Sequence, residues 1–268
     1  MLFKRRPISF PMRTPLLFVL FTLSAVCGSI AQKPANTYYR VDYITTTDNV
    51  LENAAAQAQL DSLTAASGVD LRGTFKEVEQ MLGGLSATLY FNDSVALFLP
   101  AQLGESASLG DIIARSASKA NYNYYQNQRS GEQIRQKARN GEVINLVDTL
   151  TTIPWKITST SAEILGHTCF KATANLAVEG RDGGSYVRHY EAWFAPALPF
   201  PYGPINMGGL PGVILLATHN GKIFWQAVRT YPPTDYPKRA TRLLPGGKRI
   251  ESTAYGELLR QRFEARSN

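Results

Sequence analysis

The stretch Val213-Ile214-Leu215-Leu216-Ala217-Thr218-His219-Asn220-Gly221-Lys222-Ile223-Phe224-Trp225-Gln226-Ala227-Val228 decides how this chain folds. Two apolar, β-branched and aromatic runs flank Asn220-Gly221, a pair that tolerates the positive φ demanded by a two-residue hairpin loop. Such a loop sets Leu215 opposite Gln226, Leu216 opposite Trp225 and Ala217 opposite Phe224. Ile214, Leu216, Trp225 and Ala227 then share one face, and Val213, Leu215, Phe224 and Val228 the other. A strand pair with one wet face alternates apolar with polar residues, and this one does not. The expectation is a ribbon kept dry on both sides, with one face in the core and the other against core, a cavity, a helix or a partner.

Working outward, the same punctuation recurs. Strands are expected at Thr37–Thr46, Ser86–Phe91, Val95–Leu99, Tyr122–Gln126, Gln133–Ala138, Val143–Leu146, Trp155–Thr160, His167–Val178 and Tyr186–Phe194. Turn residues separate them at Asn92-Asp93, Asn140-Gly141 and Gly180 to Gly184, which argues for an antiparallel meander rather than a parallel sheet. Ala54, Ala55, Ala56, Ala58, Leu60 and Leu63 read as an alanine-rich helix, and Phe75–Met81 as a shorter helical or loop piece. Leu103–Lys119, polar and rich in small residues, reads as a mobile loop with one helical turn. Past Pro232-Pro233 the chain becomes basic, and Tyr255, Leu258, Leu259 and Phe263 form one helical stripe behind Ser252. The fold expected is mainly β (α+β): a strongly curved antiparallel sheet or open half-barrel with helical cover and a C-terminal helix, similar to half-barrel periplasmic lipoprotein carriers. The expected domains are a leader at 1–31, a β domain at 32–232 and a basic tail at 233–268.

The leader expectation rests on Lys4, Arg5, Arg6 and Arg13 ahead of an apolar run from Leu16 to Val26. That run is short for a membrane span and right for a signal-peptide core, and Ser29-Ile30-Ala31 offers a cleavage site with Gln32 as the mature start. Cys27 lacks the flanking pattern of a lipidated cysteine. Cleavage leaves 237 residues, enough for a sizeable core. Four of the 28 basic residues and none of the 21 acids fall in the leader, so the formal charge drops from +7 to +3 and a nucleic-acid partner loses its electrostatic basis. No long apolar segment follows the leader, so no transmembrane segment is expected in the mature chain. Cys169 would be its single cysteine, read as a buried thiol.

Ahead of the hairpin stand Trp193-Phe194-Ala195-Pro196, Pro199, Pro201, Gly203-Pro204 and Gly208-Gly209-Leu210-Pro211-Gly212. Glycines open backbone angles closed to other residues and Pro211 fixes φ, so the segment reads as a rigid crossover into the Val213 strand. Upstream are Trp155, Ile157, Ile164-Leu165-Gly166 and Cys169-Phe170-Lys171-Ala172. Together these resemble the GLPGLI family of bacterial cell-envelope proteins over about Trp155 to Tyr231. Val213 stands where the family name has leucine, and Leu216-Ala217 where an acidic residue commonly follows. The resemblance implies a periplasmic or secreted envelope protein and carries no catalytic assignment.

Other chemistry is thin. His167 with Cys169, and His189 with Glu191, share strand faces, but a hairpin closed at Gly180 to Gly184 pairs His189 near Ala174, about 16 Å from Cys169. His189 and Glu191 alone fall short of a zinc set. Ser116-Ala117-Ser118-Lys119 matches Ser-x-x-Lys without the Lys-Thr-Gly element that such enzymes need. There is no Gly-x-Ser-x-Gly elbow or phosphate loop. Tyr122, Tyr124 and Tyr125 read as the aromatic face of a strand. The leading expectation is therefore a non-catalytic protein without cofactor that binds an apolar ligand or lipid in the concave face of its sheet, using Gly208, Gly209, Leu210, Pro211, Gly212, Trp193 and Trp225. The alternatives are an outer-envelope assembly factor working by protein contacts, and a hydrolase or metal-dependent enzyme built on His189 and Glu191.

Overall fold

The computed structural model describes residues 37–47, 62, 65, 78–102, 104, 107–139, 141–179, 184–238 and 241–267. Contacts divide the chain at Pro34/Ala35, and the description concerns the second unit. The leader, its cleavage after Ala31 and the residues Ala54, Ala55, Ala56, Ala58, Leu60 and Leu63 that define the alanine-rich segment lie outside the described residues.

Among the described residues twelve strands form one open, strongly curved sheet. In chain order they are β1 (Thr37–Thr47), β2 (Ser86–Phe91), β3 (Val95–Pro100), β4 (Asn123–Asn127), β5 (Glu132–Arg139), β6 (Glu142–Thr149), β7 (Lys156–Ile164), β8 (His167–Glu179), β9 (Ser185–Ala195), β10 (Val213–Thr218), β11 (Ile223–Asp235) and β12 (Lys248–Glu251). Their order across the sheet is β12-β6-β5-β4-β3-β2-β1-β11-β10-β9-β8-β7. Every neighbouring pair is antiparallel except β12 with β6, which makes the sheet mixed. The expected meander holds through two runs, β2 to β6 and β7 to β11, and β1 joins them by pairing with both β2 and β11. Asn92 Oδ1 accepts from the amides of Ser94 and Val95 and closes the β2–β3 turn, as the Asn-Asp pair predicts.

Among the described residues two full helices flank the sheet: α1 (Leu109–Ser118) and α2 (Ser252–Ser267). Residues 78–82 form a further helical turn. The full helix α1 corrects the loop expected over Leu103–Lys119. Its start is a capping box: Ser108 Oγ accepts from the Asp111 amide at 3.1 Å, and Asp111 Oδ2 accepts from the Ser108 amide at 3.0 Å. Lys119 ends it in the left-handed region at φ 66. The helix escapes a periodicity search because its buried face is small, Gly110, Ala114 and Ser118, while Leu109, Ile112 and Ile113 face outward.

The Asn220-Gly221 hairpin is also corrected. Leu216 pairs with Gln226, Ala217 with Trp225 and Thr218 with Phe224, one residue off the expected register. Gly221 takes positive φ and Asn220 does not. Instead Asn220 Oδ1 accepts from the Lys222 and Ile223 amides, and Thr218 Oγ1 accepts from those of Asn220 and Gly221. These side-chain caps build a longer loop, and a one-residue slip moves a strand's residues to the opposite face. Trp225, Leu215 and Ala227 are buried, whereas Gln226 and Val228 are exposed and Leu216 and Phe224 half-buried. β10 is therefore dry on both faces, with Val213, Ile214 and Leu215 each 0% exposed, whereas β11 turns one face to solvent.

The tail differs from its expected form in two details. β11 runs through Pro232-Pro233 to Asp235, with a register break between Tyr38 and Arg40 that absorbs the prolines. β12 then adds to the β6 edge and leads into α2.

Curvature positions the crossover of residues 196–212. Gly208 O accepts from Trp155 Nε1 at 2.8 Å, next to β7 at one end of the sheet. The neighbouring Asn206 O accepts from Gln126 Nε2 at 3.1 Å, on β4. Eight inter-strand steps separate β4 from β7, about 38 Å if the sheet were flat. The sheet curls until both strands meet the same loop.

Candidate functional site

The crossover is built to fill the curl. Phe200, Tyr202, Met207 and Leu210 are buried in it. Phe200 packs tilted against Tyr39 at 4.7 Å and edge-to-face with Phe91 at 5.1 Å between ring centroids, and Tyr202 lies 5.9 Å from Phe91. The loop is also stitched to the start of β10, where the Val213 amide donates to Leu198 O and the Ile214 amide to Tyr202 O, both at 2.9 Å. Ile214 O, beyond the reach of β11 pairing, accepts from the buried Tyr43 hydroxyl at 2.7 Å.

The candidate glycines have backbone explanations. A Cβ on Gly208 would stand 2.5 Å from Pro201 O, and one on Gly212 would overlap Ala195 O. Gly209 sits at φ +87 against Thr152. Of the five loop residues, Gly209 and Pro211 reach solvent while Leu210 and Gly212 are buried. Trp225 is 0% exposed and donates its Nε1 hydrogen to Ser118 O at 3.0 Å, under α1. Trp193 is half-buried, donates to Glu191 Oε1 at 3.2 Å and carries Lys171 Nζ 5.8 Å from its ring centroid. None of the seven lines the cleft bordered by Glu132 and Asp148 or the one bordered by Arg40 and Asp42. The loop residues pack the crossover, and the two tryptophans are tied to separate partners.

His189 and Glu191 part company as well. His189 Nδ1 lies 2.7 Å from Asn175 Oδ1, its cross-strand partner and a residue past the expected Ala174. Glu191 pairs with Lys171 Nζ at 2.8 Å. Asn175 is six residues beyond Cys169 on β8, which leaves about 20 Å between His189 and the thiol. Among the described residues no group of three or more His, Cys, Asp or Glu converges as a metal set. Cys169 is buried, and burial, then the nearby Glu163, pushes its thiol up to about 11, so it stays protonated and unreactive at neutral pH.

Two clefts lie elsewhere. One, of about 460 Å³, is lined by polar groups including Glu132, Asp148, Glu251 and Ser252. Two of its three carboxylates are matched: Asp148 accepts from Ser252 Oγ at 2.7 Å and from Arg135, which also donates to Ser252, and Glu132 pairs with Arg249. The other, of about 280 Å³, borders Arg40, Asp42 and Thr88. No sequence pattern announces that cluster, because its members are neighbours across strands rather than along one.

His219, in the β10–β11 loop, is the remaining buried titratable group of note. Its Nδ1 has no hydrogen-bond partner, and burial, with Lys119 and Arg188 adding repulsion, lowers its pKa to about 4. Among the described residues, no helix is long and apolar enough to cross a membrane.

No family model matches this chain, and no curated protein does. Among solved structures the chain resembles PNGF-II, with 15% identity and a TM-score of 0.51 over 83% of this chain and 32% of that one. A second crystal form of PNGF-II gives 14% identity and a TM-score of 0.49 over 82% and 32%. The chain thus spans about a third of the length of PNGF-II, and what the two share is a fold.

Proposed function

We propose that this chain is an exported, non-catalytic envelope protein of the GLPGLI type that acts through contacts with another envelope protein. The observation that carries this reading is the filled curl. Phe200, Tyr202, Met207 and Leu210 occupy the space in which a carrier would hold its cargo. That favours the assembly reading over an apolar ligand or lipid bound beside Gly208–Leu216. Apolar surface is presented outside instead, with Leu109 68% and Ile112 54% exposed on α1. The catalytic alternative draws no support from His189, which contacts Asn175, or from Glu191, which is neutralised by Lys171.

Site-specific photo-crosslinking in the native envelope tests the proposal. A photoreactive residue at position 112 should trap one defined envelope protein, and the same residue at exposed position 156 on β7 should not. Co-purification of lipid with the chain, and no protein adduct from position 112, would return the carrier reading to first place.

A further inference from the structure

On the face of β1 opposite Val41 and Tyr43, side chains from three strands form a continuous cluster. Arg40 is the cross-strand neighbour of both Tyr90 on β2 and Tyr231 on β11, and Asp42 is that of Thr88 and Arg229. The Arg40 guanidinium lies 4.6 Å from the Tyr231 ring centroid and 6.0 Å from that of Tyr90. Its Nε and Nη2 donate to the two oxygens of Asp42 at 2.9 and 2.8 Å. Thr88 Oγ1 and Tyr231 OH donate to the same carboxylate at 2.9 and 3.0 Å. Burial alone would raise the Asp42 pKa, but these hydrogen bonds from Arg40, Thr88 and Tyr231 outweigh it and hold the group below the usual carboxylate range. Asp42 is therefore a fixed anion that fixes Arg40. Arg229 adds a second guanidinium 4.8 Å from the Tyr231 ring. One carboxylate thus stands against two guanidiniums, and Arg40 Nη1 takes no part in the pairing with Asp42.

The 280 Å³ cleft opens beside this cluster. Arg40, Asp42 and Thr88 line its polar end, and Ile44, Leu99 and Val228 supply apolar wall. Val228 reaches the cleft by a backbone device. Asp42 pairs with Arg229 and Tyr43 with Ala227, so Val228 is the extra residue of a β-bulge, left unpaired and 42% exposed. Bulges re-aim side chains and are frequent beside binding sites.

We propose that this cleft binds a small amphipathic anion, with an oxyanion head on Arg40 at the polar end, the positive charge of Arg229 just outside the lining adding attraction, and a short aliphatic tail along Ile44, Leu99 and Val228. The excess of guanidinium selects an anionic head, and a pre-oriented Arg holds carboxylate or phosphate oxygens at low entropic cost. At about 30 Å³ for a water-sized group, the cleft holds about nine non-hydrogen atoms, the size of a medium-chain acid rather than a membrane lipid. The inference stands apart from the protein-contact reading, because it concerns a different face of the sheet.

Calorimetric titration of the purified full-length chain with octanoate, octyl phosphate, octanol and octylamine tests it. Octanoate or octyl phosphate should bind with a dissociation constant of about 1 mM or lower, octanol at least about tenfold more weakly, and octylamine not at all. The stronger of the two anions identifies the head group. Arg40→Gln and the exposed Arg229→Gln should each lower anion affinity to the level of octanol, and Val228→Asp should abolish binding of both. Arg229→Gln and Val228→Asp carry the test if Arg40→Gln does not fold. Equal binding of octylamine and octanoate, no binding of either anion, or unchanged affinity in the last two variants would overturn the proposal.

Discussion

The crossover inside the curl and the Arg40–Asp42 cluster outside it use opposite means to become rigid. The crossover is held by shape: glycines pressed onto carbonyls, rings interlocked, and the backbone bonded at Val213 and Ile214. The outer cluster is held by charge and hydrogen bonds, with one carboxylate taking four donors. A site held by packing has no room for a guest, because any addition overlaps atoms already in contact. A site held by polar contacts at the rim of a cleft keeps both space and direction. The most distinctive stretch of sequence therefore supports the scaffold, and the surface suited to recognition lies where the sequence is ordinary.

That contrast breaks first at Trp225. Trp225→Ala empties the largest buried side chain of the core and should cost about 4 kcal/mol in denaturant unfolding. A loss under about 1 kcal/mol would show that the interior is loosely filled. Gly212→Ala drives a methyl group into Ala195 O and should cost about 3 kcal/mol by the same measurement. Acid sharpens the comparison in a third way. His219 has a folded-state pKa of about 4 against an ordinary 6.5, so the unfolded chain takes up the proton first. Its stabilising effect is complete above pH 6.5, falls by up to about 3 kcal/mol as the pH drops to 4, and is flat below. His219→Leu should flatten that slope in a pH series of urea melts. Gly209→Ala, strained by its positive φ but next to the movable Thr152 methyl, should cost about 1 kcal/mol. Ile112→Ser on the outer face of α1 should change stability by less than about 0.5 kcal/mol while removing the cross-linked partner, which separates surface from scaffold.

Much of the scaffold was legible in the sequence. Alternating aromatic and β-branched runs marked the strands, and the glycine-proline crossover read as architecture for reasons that Gly208 and Gly212 bear out. What escaped has physical causes. The register of the Asn220-Gly221 hairpin turned on whether Asn220 would supply backbone angles or a side-chain cap, and the dipeptide is compatible with both. Helix α1 hid because its inward face is made of glycine, alanine and serine. β12 pairs in parallel with a strand about a hundred residues earlier, which leaves no local trace. The Arg40 cluster escaped for a similar reason. Arg40 and Asp42 lie within the expected first strand, and Thr88 and Tyr231 gain meaning only once β2 and β11 are placed on either side.

The central claim is that the crossover of residues 196–212 fills the curl of the sheet with its buried side chains, leaving, among the described residues, no groove beside Gly208–Gly212. Amide hydrogen exchange at Gly209, Val213 and Ile214 tests it most directly, since these amides donate to Pro201, Leu198 and Tyr202 carbonyls. The account predicts that all three exchange only with global unfolding and that envelope lipid leaves their rates unchanged. Fast exchange in the free protein that slows when lipid is added would contradict it.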